Sequence, residues 1–476
     1  MILSRVLIIE AGLLCLPMMC AGWYHEPTGP FLHTIVTVML VALALAYPSR
    51  RASIRSMRAV EGFVGVALSW IVMSLFGALP YVFSGAIPSY VDALFEMVSG
   101  ITTTGSSILT DLESLPRSII FWRSFSHFIG GMGVLVFMMA ILPMDEQHSM
   151  HLMRAEVPGP VKGKLVPRMR DTAKILYLLY IAMTVAEVVF LLLGGMSLFD
   201  SLCTAFGTTA TGGFGVHNNS MAYYDSAYLE MVVAVFMVLS GVNYNLYYLV
   251  ILRRSIKGFK SEELGWYLAI IAAATVTIAS NIVKSVGSMA HALRLAFFQV
   301  ASIMTSTGFA STDFDLWPAY SKVLLVLLMI IGACAGSTGG GTKVSRLIII
   351  VKAAVAELRQ QASPRSVLRV TLDGERLDAE TIRTTLVFLI MYASLVVLSC
   401  LLLSIQGVDL ITTLTSTIAC ISNIGPGLAL VGPTGNFAFW SDPAKLLLSF
   451  LMIAGRLEIY AIMMLFSRHV WRSLLR

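Results

Sequence analysis

The sequence predicts an all-α polytopic membrane protein with four tandem helix–pore-loop–helix repeats around a pseudo-fourfold pore, preceded by two extra transmembrane helices. Three observations carry this. The 476-residue chain is 57% hydrophobic and only 13% charged, more apolar surface than a soluble fold can hide. Runs of about 20 apolar residues recur along it, the length that a bilayer core of about 30 Å requires. Four segments align on a glycine: VDALFEMVSGITTTG ending at Gly105, LFDSLCTAFGTTATG at Gly212, RLAFFQVASIMTSTG at Gly308 and ITTLTSTIACISNIG at Gly425.

The apolar stretch Met1 to Gly22 has the look of a signal peptide. It carries Glu10 and lacks a small-residue cleavage site, so it reads as a retained helix, the first of a pair over 1–48. The first repeat, 59–143, has long helices at 59–84 and 118–143; the second, 171–252, has them at 171–195 and 227–252. The third, 263–357, has them at 263–285 and 321–357, and the fourth, 381–467, at 381–405 and 442–467. Between each pair lies a segment of about three helical turns, too short to span, that ends in a hydroxyl-rich tetrad. Two crossings per unit keep all four repeats in one orientation, unlike inverted-repeat transporters.

Basic residues fix the orientation. Arg50, Arg51, Arg55 and Arg58 share one loop; Arg154, Lys162, Lys164, Arg168 and Arg170 the next; Arg253, Arg254, Lys257 and Lys260 a third. A fourth segment runs from Lys343 to Arg376, and the tail holds Arg468, Arg472 and Arg476. All five fall on one side, which the positive-inside rule makes cytoplasmic, together with both termini. The net charge of +6 is dispersed over these short loops, a pattern for anionic lipid heads or an acidic cytosolic partner rather than nucleic acid. The six cysteines show no CxxC spacing and the eight histidines no ligand spacing. Neither a disulfide framework nor a metal centre is indicated.

Non-helical backbone at membrane depth is tolerated only where protein encloses it beside a watered path. Each short helix directs its carbonyl end, with its partial negative charge, at the turn that follows. Glycine in that turn permits unusual φ/ψ, and a ring of carbonyls that replaces an ion's hydration shell is the physics of a potassium filter. The candidate ion-binding residues are Thr104 and Gly105, Thr211 and Gly212, Thr307 and Gly308, and Asn423, Ile424 and Gly425. Three tetrads place Thr before Gly and the fourth places Ile. The walls are therefore unequal, and the expected preference for K⁺ over Na⁺ is modest, with Rb⁺ accepted.

The stretches SGITTTGSS, FWRSFSHFIGGMGVLVFMMAILP, TTATGGFG, TSTGFAS, SNIGPGL and AGRLEIYAIMMLF resemble the Trk/Ktr/HKT superfamily of potassium transporters, over essentially the whole chain from Val60 onward. The leading helix pair fits the Trk branch. The resemblance implies one dominant K⁺ site at the level of Gly105, Gly212, Gly308 and Gly425, and a homodimer with one pore per protomer in the bacterial inner membrane. It also implies a cytosolic regulatory ring of the TrkA type. NAD(H) or ATP would bind there, and this chain itself would hold no cofactor.

Two further features concern the path below that site. GACAGSTGGGTKVSR begins at Gly332 and interrupts the second long helix of the third repeat. It misses the G-x-x-x-x-G-K-[ST] phosphate loop because Thr342 separates Gly341 from Lys343, and no strand precedes it. Gly332, Gly336, Gly339, Gly340, Gly341 and Lys343 are read instead as an intramembrane gating loop over 332–345, as the resemblance also implies. Arg456 lies midway along the last helix, where a charge is costly and a functional hypothesis by default. At about 6 Å and an effective dielectric near 20 it would repel K⁺ by about 3 kcal/mol. The other reading of Arg456 is an ion pair with Glu458 or Glu96. His127 and Arg123 are expected to stabilise helix contacts, and Glu96, Asp92 and Asp200 to attract cations at the outer mouth or to cap the short helices. K⁺ moving inward down its electrochemical gradient fits these features best, with Na⁺- or H⁺-coupled symport of the Ktr kind as the alternative. A membrane-embedded transferase is remote, since no DxxxD cluster is present.

Overall fold

A computed structural model describes residues 2–49, 59–133, 169–252, 254–255, 260–363 and 369–474. Among these, six helices are long and apolar enough to cross a membrane: Ile2–Trp23, Gly29–Tyr47, Glu61–Phe83, Asp171–Leu193, Glu262–Val286 and Ala379–Ser404. The first two are the leading pair, joined where the Ser4 hydroxyl donates to the Ala42 carbonyl at 2.8 Å. The other four are the first long helices of the four repeats. Each is followed by a short helix: Tyr90–Ile101, Leu198–Thr209, Met289–Met304 and Leu410–Ile421. The protein is a polytopic helical membrane protein, and its only strands among the described residues are a two-residue hairpin, Thr371–Leu372 with Glu375–Arg376.

Local chemistry sets where the short helices start. Ser89 Oγ accepts from Asp92 N, Ser197 Oγ from Asp200 N, and Asp409 Oδ2 from Thr412 N, so three of the four begin on a side-chain N-cap. The second long helix of repeat one, Arg117–Gly131, starts after Pro116 with no cap of its own. Glu26, from the turn of the leading pair, supplies one: its carboxylate accepts from Arg117 N at 2.7 Å and Ser118 N at 2.9 Å. The leading pair therefore braces the first repeat.

The second long helices depart from expectation. In repeat two the span breaks after Ala227–Ser240 and turns through 92° into Tyr244–Ile251. In repeat four Asp442–Arg456 stops, and the chain resumes at Tyr460–Met464. In repeat three Ala319–Ile331 and Val344–Ala362 flank the glycine-rich stretch, as expected. Repeat one reaches Gly131, and the rest of its expected helix, with Arg50, Arg51, Arg55, Arg58, Arg154, Lys162, Lys164, Arg168, Arg253, Lys257 and Arg476, lies outside the described residues. The break in repeat four is held by Glu458 at φ 53° and Ile459 at φ 64°. A β-branched residue in that region is strained, and burial keeps it there, Ile459 being 1% exposed.

Small residues let these helices meet the short ones. A Cβ on Gly130 would strike the Ile101 carbonyl, and one on Gly455 the Ile421 carbonyl. The two contacts are pseudo-equivalent and place Arg456 where repeat one has Gly131. Gly455→Val is therefore expected to cost about 1–3 kcal/mol through overpacking and to lower the thermal midpoint of the solubilised protein. Gly12→Ala, with open space around its Cβ, should leave the midpoint unchanged or raise it slightly.

Candidate functional site

The four short helices end in one backbone pattern. After the last helical residue come a C-cap, a residue at positive φ, a middle residue and a glycine at positive φ. The positive-φ residues are Thr103, Thr211, Ser306 and Asn423, at 54°, 55°, 60° and 54°. The glycines are Gly105, Gly213, Gly308 and Gly425, at 83°, 79°, 87° and 95°. The middle residues are Thr104, Gly212, Thr307 and Ile424, whose amides donate back to Ser99, Gly207, Ser302 and Ala419. This corrects the second repeat by one residue. Gly212 is the counterpart of Thr104, and Gly213 that of Gly105; Thr211 occupies the left-handed position rather than the one before the ring glycine, and Asn423 holds the same left-handed position in repeat four. The tetrad TATG is matched to the others by its letters alone. The Gly-Phe pairs Gly213-Phe214 and Gly308-Phe309 were the signal that would have set the register.

The four loops close a ring. A Cβ on Gly105 would strike the Gly212 carbonyl, one on Gly213 the Thr307 carbonyl, and one on Gly308 the Ile424 carbonyl; one on Gly425 would lie 2.9 Å from the Thr104 carbonyl. Each glycine thus backs onto the middle carbonyl of the next loop, one to two, two to three, three to four and four to one. Side chains reinforce the seams: Ser106 Oγ donates to Gly425 O at 3.1 Å, and Asn423 Nδ2 to Thr104 Oγ1 at 2.9 Å. The odd residue of the fourth tetrad therefore ties the ring shut. On one side of the ring an open vestibule is lined by Gly105, Gly213, Gly308 and Gly425 together with Arg123 and His217.

Arg123 and His127 lie one turn apart on Arg117–Gly131 and hold the first two loops. His127 Nδ1 sits 2.6 Å from Gly100 O, and its Nε2 accepts from Phe214 N at 3.1 Å, which requires the neutral ring with its proton on Nδ1. Arg123 pairs with Glu96 at 2.6 Å, donates to Gly215 O at 2.9 Å, and stacks 3.6 Å over Phe214. Their expected role in helix contacts is what the geometry shows. Asp92 caps less than it pairs, meeting Lys445 Nζ at 2.5 Å.

On the opposite side of the ring the 332–345 stretch packs against the ends of the short helices. Thr338 Oγ1 donates to Thr209 O at 3.1 Å and Ser240 O at 3.3 Å. Gly340 N donates to Ser306 Oγ at 2.5 Å. A Cβ on Gly339 would lie 2.7 Å from the Thr305 carbonyl, and one on Gly340 would strike that of Ser422. The loop thus touches repeats two, three and four directly under the ring. Gly332, Gly336 and Gly341 lie at φ 74°, 72° and 77°, and Lys343 at 75°. Lys343 is buried, and its ammonium donates to Gly339 O within the loop.

Arg456 completes the contact to repeat one: it donates to Thr338 O at 2.7 Å and to Gly130 O and Gly131 O at 2.6 Å each. The last two lie at the end of the described repeat-one helix. Of the carboxylates considered beside Arg456, Glu458 pairs with Arg346 at 2.6 Å and Glu96 with Arg123. Glu263 was missed by sequence reading: its Oε1 accepts from Ala335 N at 2.7 Å and Ser345 N at 3.0 Å, pinning both limbs of the loop. Sequence offered only a carboxylate in the first turn of a helix, which is ordinary there.

Four re-entrant helix–loop units closing on one axis define a pore-loop membrane protein. The family model described as TrkH, cation transport protein, matches residues 29–472, and the chain belongs to that family. It is 36% identical to the Trk system potassium uptake protein TrkH of Salmonella typhimurium, covering 99% of this chain and 98% of that one. It is also 36% identical to TrkG of Escherichia coli, over 96% and 95%. The crystal structure of the potassium transporter TrkH from Vibrio parahaemolyticus superposes with a TM-score of 0.89 at 31% identity over 98% of both chains.

The ring geometry makes a specific coupling. A Cβ on Gly212 would strike the His127 ring, whereas one on Gly213 would strike the Thr307 carbonyl. Gly212→Ala should therefore be partly rescued by His127→Ala, with a coupling of about 0.5–3 kcal/mol, and Gly213→Ala should not. Thermal unfolding of the three single variants and the two doubles reads this directly.

Proposed function

We propose that this chain is the K⁺-conducting membrane subunit of a Trk-type uptake system. The observation that supports it best is the closed ring of four loops, each glycine backed onto its neighbour's middle carbonyl. Thr104, Gly105, Thr211, Gly212, Gly213, Thr307, Gly308, Asn423, Ile424 and Gly425 then form the filter, with the dominant K⁺ site at the ring glycines Gly105, Gly213, Gly308 and Gly425. Its carbonyls replace the ion's hydration shell, and the short-helix dipoles add negative potential. The membrane potential supplies about 2.3 kcal/mol per charge per 100 mV, so K⁺ enters passively. The chain sits in the bacterial inner membrane as a homodimer with both termini in the cytoplasm, beside a cytosolic nucleotide-binding subunit of the TrkA type.

The loop 332–345 is the gate. Its backbone occupies the space under the ring, and it must withdraw for an ion to pass. Arg456 is both barrier and latch: its charge faces arriving cations, and its three hydrogen bonds tie the loop at Thr338 to the end of the repeat-one helix. Bonds from a charged donor contribute about 1.5–3 kcal/mol each, enough for their loss to open the gate measurably.

The test is radioactive Rb⁺ uptake into proteoliposomes holding this chain alone, under an inside-negative potential. Uptake competed by K⁺ more than by Na⁺, with no Na⁺ or H⁺ gradient, is the expected result; dependence on such a gradient would turn the reading to symport. Arg456→Ser should raise uptake about tenfold, a change of about 1.4 kcal/mol. Gly308→Ser should weaken the preference for K⁺. Unchanged transport in both variants would overturn the assignment of these residues.

A further inference from the structure

We infer that the buried Glu96–Arg123 pair is the positioning element that sets the strength of K⁺ preference over Na⁺, by fixing the spacing between the outer limbs of the first and second filter loops. This rests on the K⁺-filter reading above.

The pair is unique within the fourfold pattern. Counting back five residues from the last residue of each short helix gives Glu96, Thr204, Gln299 and Ser416. Counting two beyond each ring glycine gives Ser107, Gly215, Ala310 and Gly427. Repeat one alone has a charge at the first position and a hydroxyl at the second, and the two meet. Ser107 Oγ donates to Glu96 Oε1 at 3.0 Å, and Ile108 N to Glu96 Oε2 at 3.0 Å. On the other side Arg123 Nε donates to Glu96 Oε1 at 2.6 Å, while its Nη1 reaches Gly215 O at 2.9 Å and its guanidinium covers Phe214. One continuous path thus runs from the outer limb of loop one, through a carboxylate and a guanidinium, to the same position of loop two. Glu96 is fully buried and Arg123 is 2% exposed.

Such a strut matters because loops that contract around a smaller ion lose discrimination against it. Charge-assisted, fork-shaped contacts resist contraction better than neutral ones. Glutamine at 96 could still accept from Arg123 through its amide oxygen, but the amide nitrogen cannot accept from Ile108 N. It would also leave a buried cation beside the vestibule that Arg123 lines, uncompensated. Two effects follow and are separable: lower flux from the exposed positive charge, and a weaker preference for K⁺ from the slack ring.

The experiment is Rb⁺ uptake into proteoliposomes holding the full chain, competed separately by K⁺ and Na⁺, the ratio of half-inhibiting concentrations giving preference independently of protein amount. Glu96→Gln should lower uptake and cut the ratio about tenfold, equivalent to about 1.4 kcal/mol. Arg123→Lys, which keeps the charge and loses the fork, should cut the ratio with less loss of uptake. In Glu96→Gln/Arg123→Gln uptake should recover towards wild type while the ratio stays low, a split that a folding defect does not produce. An unchanged ratio in Glu96→Gln and Arg123→Lys overturns the inference. If those variants do not fold, Ser107→Ala carries the test, and a ratio equal to wild type there overturns it as well. A wild-type chain that does not distinguish K⁺ from Na⁺ refutes the filter reading itself, a separate failure.

Discussion

A peptide carbonyl or amide at membrane depth needs a partner within the protein, because hydrocarbon offers none. Most of this molecule can be traced to that requirement. Four short helices stop partway, and the polar backbone beyond them must be satisfied by neighbours. The loops meet this collectively: amides of the middle residues return to their own helices, and each ring glycine lies against the middle carbonyl of the next loop. No loop could hold this shape alone. A side chain at any ring glycine would intrude on the adjoining repeat, so the glycines are fixed by the neighbouring chain as much as by their own φ.

The same requirement governs the second long helices. In repeats two, three and four they break at about the level of the ring. Backbone groups at the breaks find partners across them: Cys334 N donates to Gly241 O and Tyr244 N to Gly336 O, while Arg456 reaches Gly130 O and Gly131 O at the end of the described repeat-one helix. The 332–345 loop and the helix breaks are one hydrogen-bonded unit. Arg456 resides at the centre of it because a guanidinium has donors enough to serve three carbonyls from two repeats.

Much of this was legible in the amino-acid order. The apolar runs placed the first long helices to within a few residues, the hydroxyl-rich tetrads marked the short-helix ends, and the glycines from Gly332 onward marked the interruption in repeat three. Where reading failed, the deciding contact was distant or the local letters were ambiguous. TATGG offers two candidate glycines, and only the backbone dihedrals choose Gly213. The break at Glu458 and Ile459 has no glycine to announce it; tertiary packing imposes it on residues that would otherwise continue a helix. Glu458 is near Arg456 in sequence, yet its partner is Arg346, 112 residues away. A short sequence interval is a poor guide to pairing when a helix stops between two residues.

The loop under the ring has a consequence for how such a pore is encoded. Its residues Thr338, Gly339 and Gly340 reach the ends of the short helices of repeats two, three and four and, through Arg456, repeat one. One such loop occupies the axis. Four identical subunits would each bring their own copy, and four copies would compete for a space that holds one. A single-copy strap, a single arginine and a single carboxylate–guanidinium strut are therefore available only to a chain whose repeats are covalently joined and free to diverge. Fusion of the repeats gives up exact symmetry around the ring, and in exchange each quarter of the wall becomes separately adjustable.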